Sequence, residues 1–237
     1  MASRRDDVSG NFVQTALLFD LDGTLVDTDA LHLIAFQNVL AAHGIKLTKA
    51  QYVETIMGSS NAMIGAAFLP HLSPADRDAI LATKEAAFRD MLGELKPVAG
   101  VMALLDYADA QGVKCAVVTN APRANAKVVL DALGLAARLP IQIIGGELAR
   151  PKPDPLPYLT GLALTGADAA HSLAFEDSLS GLRAAVGAGL TVVGLTTTLD
   201  ETTLTRAGAT IAAADFTDPR IRELIRQKMI YTRSSAR

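Results

Sequence analysis

The chain has 237 residues, enough for a sizeable core, and its 50% hydrophobic and 20% charged content is that of a globular protein, which excludes a disordered one. A formal net charge of −3 carries no basic surplus, so bulk electrostatics gives no support to nucleic acid or an anionic membrane as partner. The single cysteine, Cys115, excludes an internal disulfide.

In chain order, residues 1–12 contain Arg4-Arg5-Asp6-Asp7 where a secretory signal would need an apolar run, and they read as a flexible N-terminal tail. Ala16-Leu17-Leu18-Phe19 then reads as a short buried strand running into Asp20-Leu21-Asp22-Gly23-Thr24. In extended chain, residues two apart point the same way about 6.5 Å from one another, so Asp20 and Asp22 are expected to face one site. Gly23 permits a sharp turn and Thr24 adds a hydroxyl. From Asp29 to about residue 96 no convincing strand follows. Helical spacing runs from Asp29 to His43, Ser73-Pro74 opens a helix continuing to Met91-Leu92, and shorter helices between them break at Gly58-Ser59-Ser60-Asn61.

From Pro97 helices and strands alternate. Helices are expected at 101–111, 122–133, 155–164, 179–188 and 219–228, with strands at 113–119, 141–144, 173–175, 191–195 and 210–212. Such alternation predicts an α/β fold with a doubly wound parallel sheet, covered on both faces, in which ligands bind beyond the carboxyl ends of strands. Cys115 falls inside the second strand and reads as a small core residue in a reducing compartment. No apolar run approaches the ~20 residues that span a bilayer. The chain is therefore expected to be soluble and cytoplasmic.

Four consecutive strand ends carry chemistry. The first presents Asp20 and Asp22. At the second, Thr119 offers a hydroxyl and Asn120 a cap for the helix that begins at Pro122, either an anion seat or a simple cap. After the third, Lys152 lies between Pro151 and Pro153, on a stiffened backbone that suits a functional charge as well as a surface one, with Asp154 as N-cap of the next helix. The fourth ends in Glu176-Asp177, adjacent acids that need a partner when buried; a hard cation such as Mg²⁺, which takes oxygen ligands, is the natural one.

This set resembles the haloacid dehalogenase superfamily, whose four motifs match Asp20-Leu21-Asp22-Gly23-Thr24, Thr119, Lys152 and Glu176-Asp177, over residues 16 to about 215. The resemblance implies a Rossmann-like core domain of residues 13–28 and 97–237, with residues 29–96 as an inserted α-helical cap domain. It implies a phosphoric monoester hydrolase working through an aspartyl-phosphate. Asp20 would be the nucleophile and Asp22 the general acid/base, with Lys152 and Thr119 at the phosphate and Mg²⁺ held by Asp20, the Asp22 backbone carbonyl, Asp177 and, through water, Glu176. Asp22 separates the chain from the dehalogenating branch, which lacks that acid. Asp27-Thr28 followed by His32 resembles the branch containing β-phosphoglucomutase, where such a histidine lies at the cap hinge; a surface or core imidazole is the alternative.

The cap loop Met57-Gly58-Ser59-Ser60-Asn61 lacks the basic residues that a phosphosugar mutase uses to seize a second phosphate, and Ser59, Ser60 and Asn61 suit a neutral sugar or polyol. Residues 119–123, 175–181 and 194–197 are similar to the broad-range sugar-phosphate phosphatases of the branch. Arg123, like Asn120 and His32, becomes a candidate substrate contact, with a surface helix charge as its other reading. The expected partner is a small phosphorylated metabolite, with neither nucleic acid nor membrane. The sequence does not specify the oligomeric state. A β-phosphoglucomutase-type mutase stays open as the alternative function. An aspartate-phosphorylated receiver would lack the long helical excursion, and a non-catalytic relative would not need all of Asp20, Asp22, Lys152 and Asp177.

Overall fold

The computed structural model describes residues 14–234; the expected tail at 1–12 lies outside the described residues. Six strands form one sheet in the order β3-β2-β1-β4-β5-β6: β1 (Ala16–Phe19), β2 (Lys114–Thr119), β3 (Gln142–Ile144), β4 (Leu173–Glu176), β5 (Thr191–Leu195) and β6 (Ile211–Ala213). Every pairing is parallel, with Leu18 level with Ala116 on one side and Ala174 on the other. The strand order reverses at β1, which lies between β2 and β4, and a crevice opens at that switch point.

The strands are short and apolar because both faces are buried. Leu17, Phe19, Val117, Phe175 and Val193 point into one layer, while Ala16, Leu18, Val118, Ala174 and Val192 point into the other. In the first layer Phe19 stacks on Phe175 with ring centroids 4.8 Å apart, and Phe216 closes the cluster at 5.2 Å from Phe175. Six helices flank the sheet: α5 (Val101–Gln111), α6 (Arg123–Ala132), α7 (Leu156–Thr165), α8 (Leu179–Gly187), α9 (Glu201–Arg206) and α10 (Pro219–Ser234). Short α9 lay unmarked between two expected strands, and α10 runs past the expected end at 228.

Between β1 and β2 the chain makes a helical insert: α1 (Asp29–Ala41), α2 (Lys49–Gln51) continuing into a π-turn (Tyr52–Ile56), α3 (Asn61–Phe68) and α4 (Pro74–Asp90). Ser73 caps α4 as expected, accepting from the backbone at Asp76, and Ser60 caps α3, accepting from Met63. The insert has its own apolar cluster around Phe36, Leu40, Tyr52, Ile64 and Leu81. Where the chain leaves and re-enters the sheet region, Val26 and Pro97 form an antiparallel bridge and the Val98 N–H donates to Leu25 O at 2.9 Å. Both connections are thereby fastened together at the mouth of the crevice.

Two expected caps are revised. Helix α6 starts at Arg123 without a side-chain cap, and Asn120 turns elsewhere. Asp154 does accept from the Leu156 N–H at 2.9 Å, but Pro155 holds the cap position.

Because Phe175 is fully buried against two other rings, Phe175→Ala should cost about 3–5 kcal/mol of unfolding free energy. Urea denaturation would show this as a lower midpoint with an unchanged slope.

Candidate active site

The strand ends converge on one cavity of about 70 Å³. Its lining includes Asp20, Asp22, Thr119, Asn120, Lys152 and Asp177 from the sheet side, and His32, Ser59 and Asn61 from the insert. The expectation that Asp20 and Asp22 face one site therefore holds, although their side chains find different partners.

Asp20 is seated at the end of β1, where its N–H donates to Phe175 O at 3.0 Å. The Lys152 ammonium donates to Asp20 Oδ1 at 2.7 Å and to Glu176 Oε1 at 2.6 Å, and Tyr158 donates its hydroxyl to that same Glu176 oxygen at 2.5 Å. Lys152 is 1% exposed and Glu176 0%, so this is a buried charge chain, held in place by β1, β4, α7 and the Pro-flanked loop. Glu176, expected to reach the metal through water, thus spends Oε1 on Lys152 and Tyr158. Its Oε2 accepts from Ser178 at 3.3 Å.

Asp177 accepts from Thr24 through Oδ1 at 3.2 Å, while its buried Oδ2 has no hydrogen-bond partner. Gly23, at φ +77°, passes so close that a Cβ there would collide with the Asp177 carboxylate. One oxygen each of Asp20, Glu176 and Asp177 lie within 4.8 Å of one another. A buried all-oxygen cluster with an orphaned carboxylate oxygen fits a hard divalent cation.

The electrostatics point the same way. Burial, assisted by Glu176 and only partly offset by Lys152, pushes the Asp20 carboxyl up to about 7. Burial, then Asp20 and Glu176, raise Asp177 well above the ordinary range. Burial also works against the Lys152 charge, but Asp20 and Glu176 outweigh it and raise its pKa. One ammonium among three carboxylates leaves the cluster short of positive charge.

Asp22 turns toward the insert. It accepts from Thr28 Oγ1 at 2.5 Å and meets His32 Nε2 at 3.3 Å. His32 Nδ1 lies 2.9 Å from the Lys84 ammonium, which can only donate, so Nδ1 accepts and Nε2 carries the proton toward Asp22. The imidazole is fixed by stacking on Phe88 at 3.8 Å. Burial would raise the Asp22 pKa, but His32, Thr28 and Lys84 hold it below the usual carboxylate value.

Lys84 and Glu85 had no signal in the sequence. Both are buried, Lys84 donating to both Glu85 oxygens at 3.1–3.2 Å, and Asn125 of α6 donates to Glu85 at 2.6 Å while accepting from Arg89 at 2.7 Å. Asp29 was likewise missed; it lines the cavity and accepts from Tyr52 at 2.9 Å and from Thr198 of the loop after β5.

Besides His32, four candidate substrate contacts have other partners. Ser60 caps α3, accepting from Met63, and does not line the cavity. Arg123 is exposed and forms a bidentate pair with Glu147 at 2.6 and 2.7 Å. Asn120 lines the cavity but bonds to the backbone at Gly58 and Lys152. Ser59 lines the cavity too, with its hydroxyl donated to Thr55 O at 2.8 Å. Thr119 Oγ1 accepts from the Ala121 N–H at 3.0 Å, leaving its proton to give.

Residues 17–195 match the family model described as haloacid dehalogenase-like hydrolase. A phosphoglycolate phosphatase of Xylella fastidiosa is 32% identical over 187 residues, covering 78% of this chain and 81% of its own. Validoxylamine A 7'-phosphate phosphatase of Streptomyces hygroscopicus subsp. limoneus is 32% identical over 211 residues, 86% of this chain and 94% of its own. In structure, CbbY of Rhodobacter sphaeroides in complex with phosphate superposes with a TM-score of 0.74 at 29% identity, covering 87% of this chain and 96% of that one. Among the described residues no helix is long and apolar enough to cross a membrane.

The raised carboxyl of Asp20 fixes a sign for pH dependence. A carboxyl lifted from 3.8 to about 7 favours the folded state while protonated, so without a cation this contribution is present below pH 3.8 and is lost as pH rises through about 7. A divalent cation should therefore raise the melting temperature more at pH 8 than at pH 5, as a thermal-shift titration would show; an equal gain at both would contradict the assignment.

Proposed function

We propose that this chain, which belongs to the haloacid dehalogenase-like hydrolases, is a Mg²⁺-dependent phosphatase of small phosphorylated metabolites that works through an aspartyl-phosphate on Asp20. The observation that carries the reading is the buried Lys152–Asp20 contact of 2.7 Å beside the orphaned Asp177 oxygen, at the mouth of the strands where the insert closes the cavity.

A carboxylate meeting a phosphate oxyanion at 4 Å is repelled by roughly 4 kcal/mol per charge pair at an effective dielectric of 20. Asp20, Asp177 and the Asp22 carbonyl would hold Mg²⁺, with Glu176 completing the charge of the site, and the ion when bound would supply countercharge to the phosphate. Lys152 adds its ammonium at the attacking oxygen, and the Thr119 hydroxyl donates to a phosphate oxygen. The Asp20 carboxylate oxygen forms a bond to phosphorus while the ester P–O bond breaks, and the leaving oxygen takes a proton from Asp22. Asp22 then accepts a proton from water attacking the acyl-phosphate, which releases phosphate and restores Asp20. The low pKa of Asp22 suits this second half. The approach of a substrate dianion raises it toward the protonated form that the first half requires.

Residues 29–96 act as the cap domain over a core of residues 13–28 and 97–237 in this reading. The cavity wall argues for a monoester over a bisphosphate. It has two lysines; Lys152 is committed to Asp20 and Glu176, and Lys84 to Glu85 and His32. No further basic side chain among the described lining residues waits for a second phosphate, whereas Asn61 offers a neutral amide. A compact sugar or polyol phosphate fits this wall, and the two phosphatase relatives' names agree in the coarser point of a small phosphomonoester.

Asp20→Asn should lower phosphomonoester turnover by about a thousandfold or more while leaving the far-UV spectrum and the urea midpoint close to those of the parent. A release assay for inorganic phosphate with Mg²⁺ would measure this, and the parent enzyme should stop in EDTA; turnover by Asp20→Asn would refute the nucleophile.

A further inference from the structure

Asn120 has a place in the structure that neither a helix cap nor a substrate contact explains. Its carboxamide grips both sides of the Lys152 residue: Oδ1 accepts the Lys152 N–H at 3.2 Å and Nδ2 donates to Lys152 O at 3.1 Å. The other Nδ2 hydrogen goes 2.9 Å to the carbonyl of Gly58, in the loop that the insert lowers onto the site. An N–H can only donate and a carbonyl can only accept, so these three bonds fix which way the amide faces. Both amide hydrogens are spent, and a substrate would meet at most one acceptor lone pair here.

Two glycines make room for the arrangement. A Cβ at Gly145 would strike Asn120 Oδ1, so the carboxamide fits only because position 145 has no side chain. Gly58, at φ +70°, lies so close to the start of α8 that a Cβ would strike Ser178 Oγ and press on Ser180. The insert loop therefore reaches the sheet side at a point where its backbone alone can approach. There its carbonyl finds the Asn120 amide.

We infer that Asn120 is a positioning residue that couples the seating of the insert loop to the placement of the Lys152 ammonium beside Asp20. The inference rests on the catalytic reading of Lys152 given above and adds a route by which the insert, itself without a basic group in this loop, acts on the reaction. With the loop seated, Gly58 O takes one amide hydrogen and holds the carboxamide at the angle that grips both Lys152 backbone groups. With the loop away, that hydrogen turns to water and the grip loosens. Lys152 then samples more positions relative to Asp20, 2.7 Å away when gripped.

Amide hydrogen exchange on the full chain with Mg²⁺ and inorganic phosphate tests the coupling without any turnover. Gly58→Ala should speed exchange at 57–60 and also at 150–154, several-fold at each; acceleration confined to 57–60 would overturn the inference. In kinetics with p-nitrophenyl phosphate, Asn120→Ala and Gly58→Ala should each lower kcat/KM about tenfold or more. The double variant should be no more than about twofold below the worse single one. Losses that multiply, or an Asn120→Ala enzyme within twofold of the parent, would contradict the inference. Should Asn120→Ala melt far below the parent, Asn120→Asp takes its place, since it keeps the acceptor for the Lys152 N–H but sets a carboxylate against two carbonyls. A parent chain that hydrolyses no phosphomonoester would refute the proposed function, while the exchange result would still decide the role of Asn120.

Discussion

Charge compensation in a dry place governs this molecule. Asp20, Glu176 and Asp177 are all buried at the carboxyl ends of two adjacent strands, and Lys152 is the single cation among the described residues that bonds to any of them. Burying ions is costly unless each has partners. Glu176 receives three donors, Asp20 receives Lys152, and Asp177 keeps a bare oxygen. Such a cluster carries more negative than positive charge, and the bare Asp177 oxygen is the feature on which the proposed cation and phosphate sites rest.

The rest of the structure serves that cluster. A parallel sheet with both faces buried brings four strand ends to one line, and the order reversal at β1 opens the crevice above them. The helical insert closes the crevice along two polar seams. One runs from Asp22 through His32, Lys84 and Glu85 to Asn125 and Arg89, and the other from Gly58 through Asn120 to Lys152. Each seam ends on a residue of the proposed chemistry, the general acid/base in one and the lysine in the other. Polar contacts between layers tolerate sliding and re-pairing better than an interdigitated apolar core does, which suits an insert that must admit a substrate.

The strands and most helices were legible in the sequence because apolar runs bounded by Gly, Pro and Asp report a sheet buried on both faces, and β1 and β5 fall where the pattern put them. The sheet-side residues Asp20, Thr119 and Asp177 were legible for a related reason: they stand at or directly after strand ends, where local extended geometry fixes their direction, whereas Lys152, in the loop beyond β3, stood out by its two flanking prolines. Side chains whose partners are far away in sequence were not legible. Asn120 has a good local role as a helix cap, yet bonds to positions 62 and 32 residues away take precedence. Lys84 and Glu85 look like ordinary charges of an exposed helix until His32 and Asn125, 52 and 40 residues away, are brought against them. Ser60, a candidate substrate contact, is instead satisfied locally by the first turn of α3, and Arg123 takes the other of its two readings, a surface charge, paired with Glu147 24 residues away.

The account comes down to a covalent bond between phosphorus and the side chain at position 20. Rapid acid quenching of the enzyme during turnover with Mg²⁺, followed by intact-mass measurement and peptide mapping, observes that bond directly. The expected result is one added phosphoryl group, confined to the peptide carrying Asp20, and with p-nitrophenyl phosphate, whose leaving group needs no proton from Asp22, a larger amount in Asp22→Asn because water is no longer activated. A phosphoryl group on any other residue, or turnover with none detectable in either protein, would contradict it.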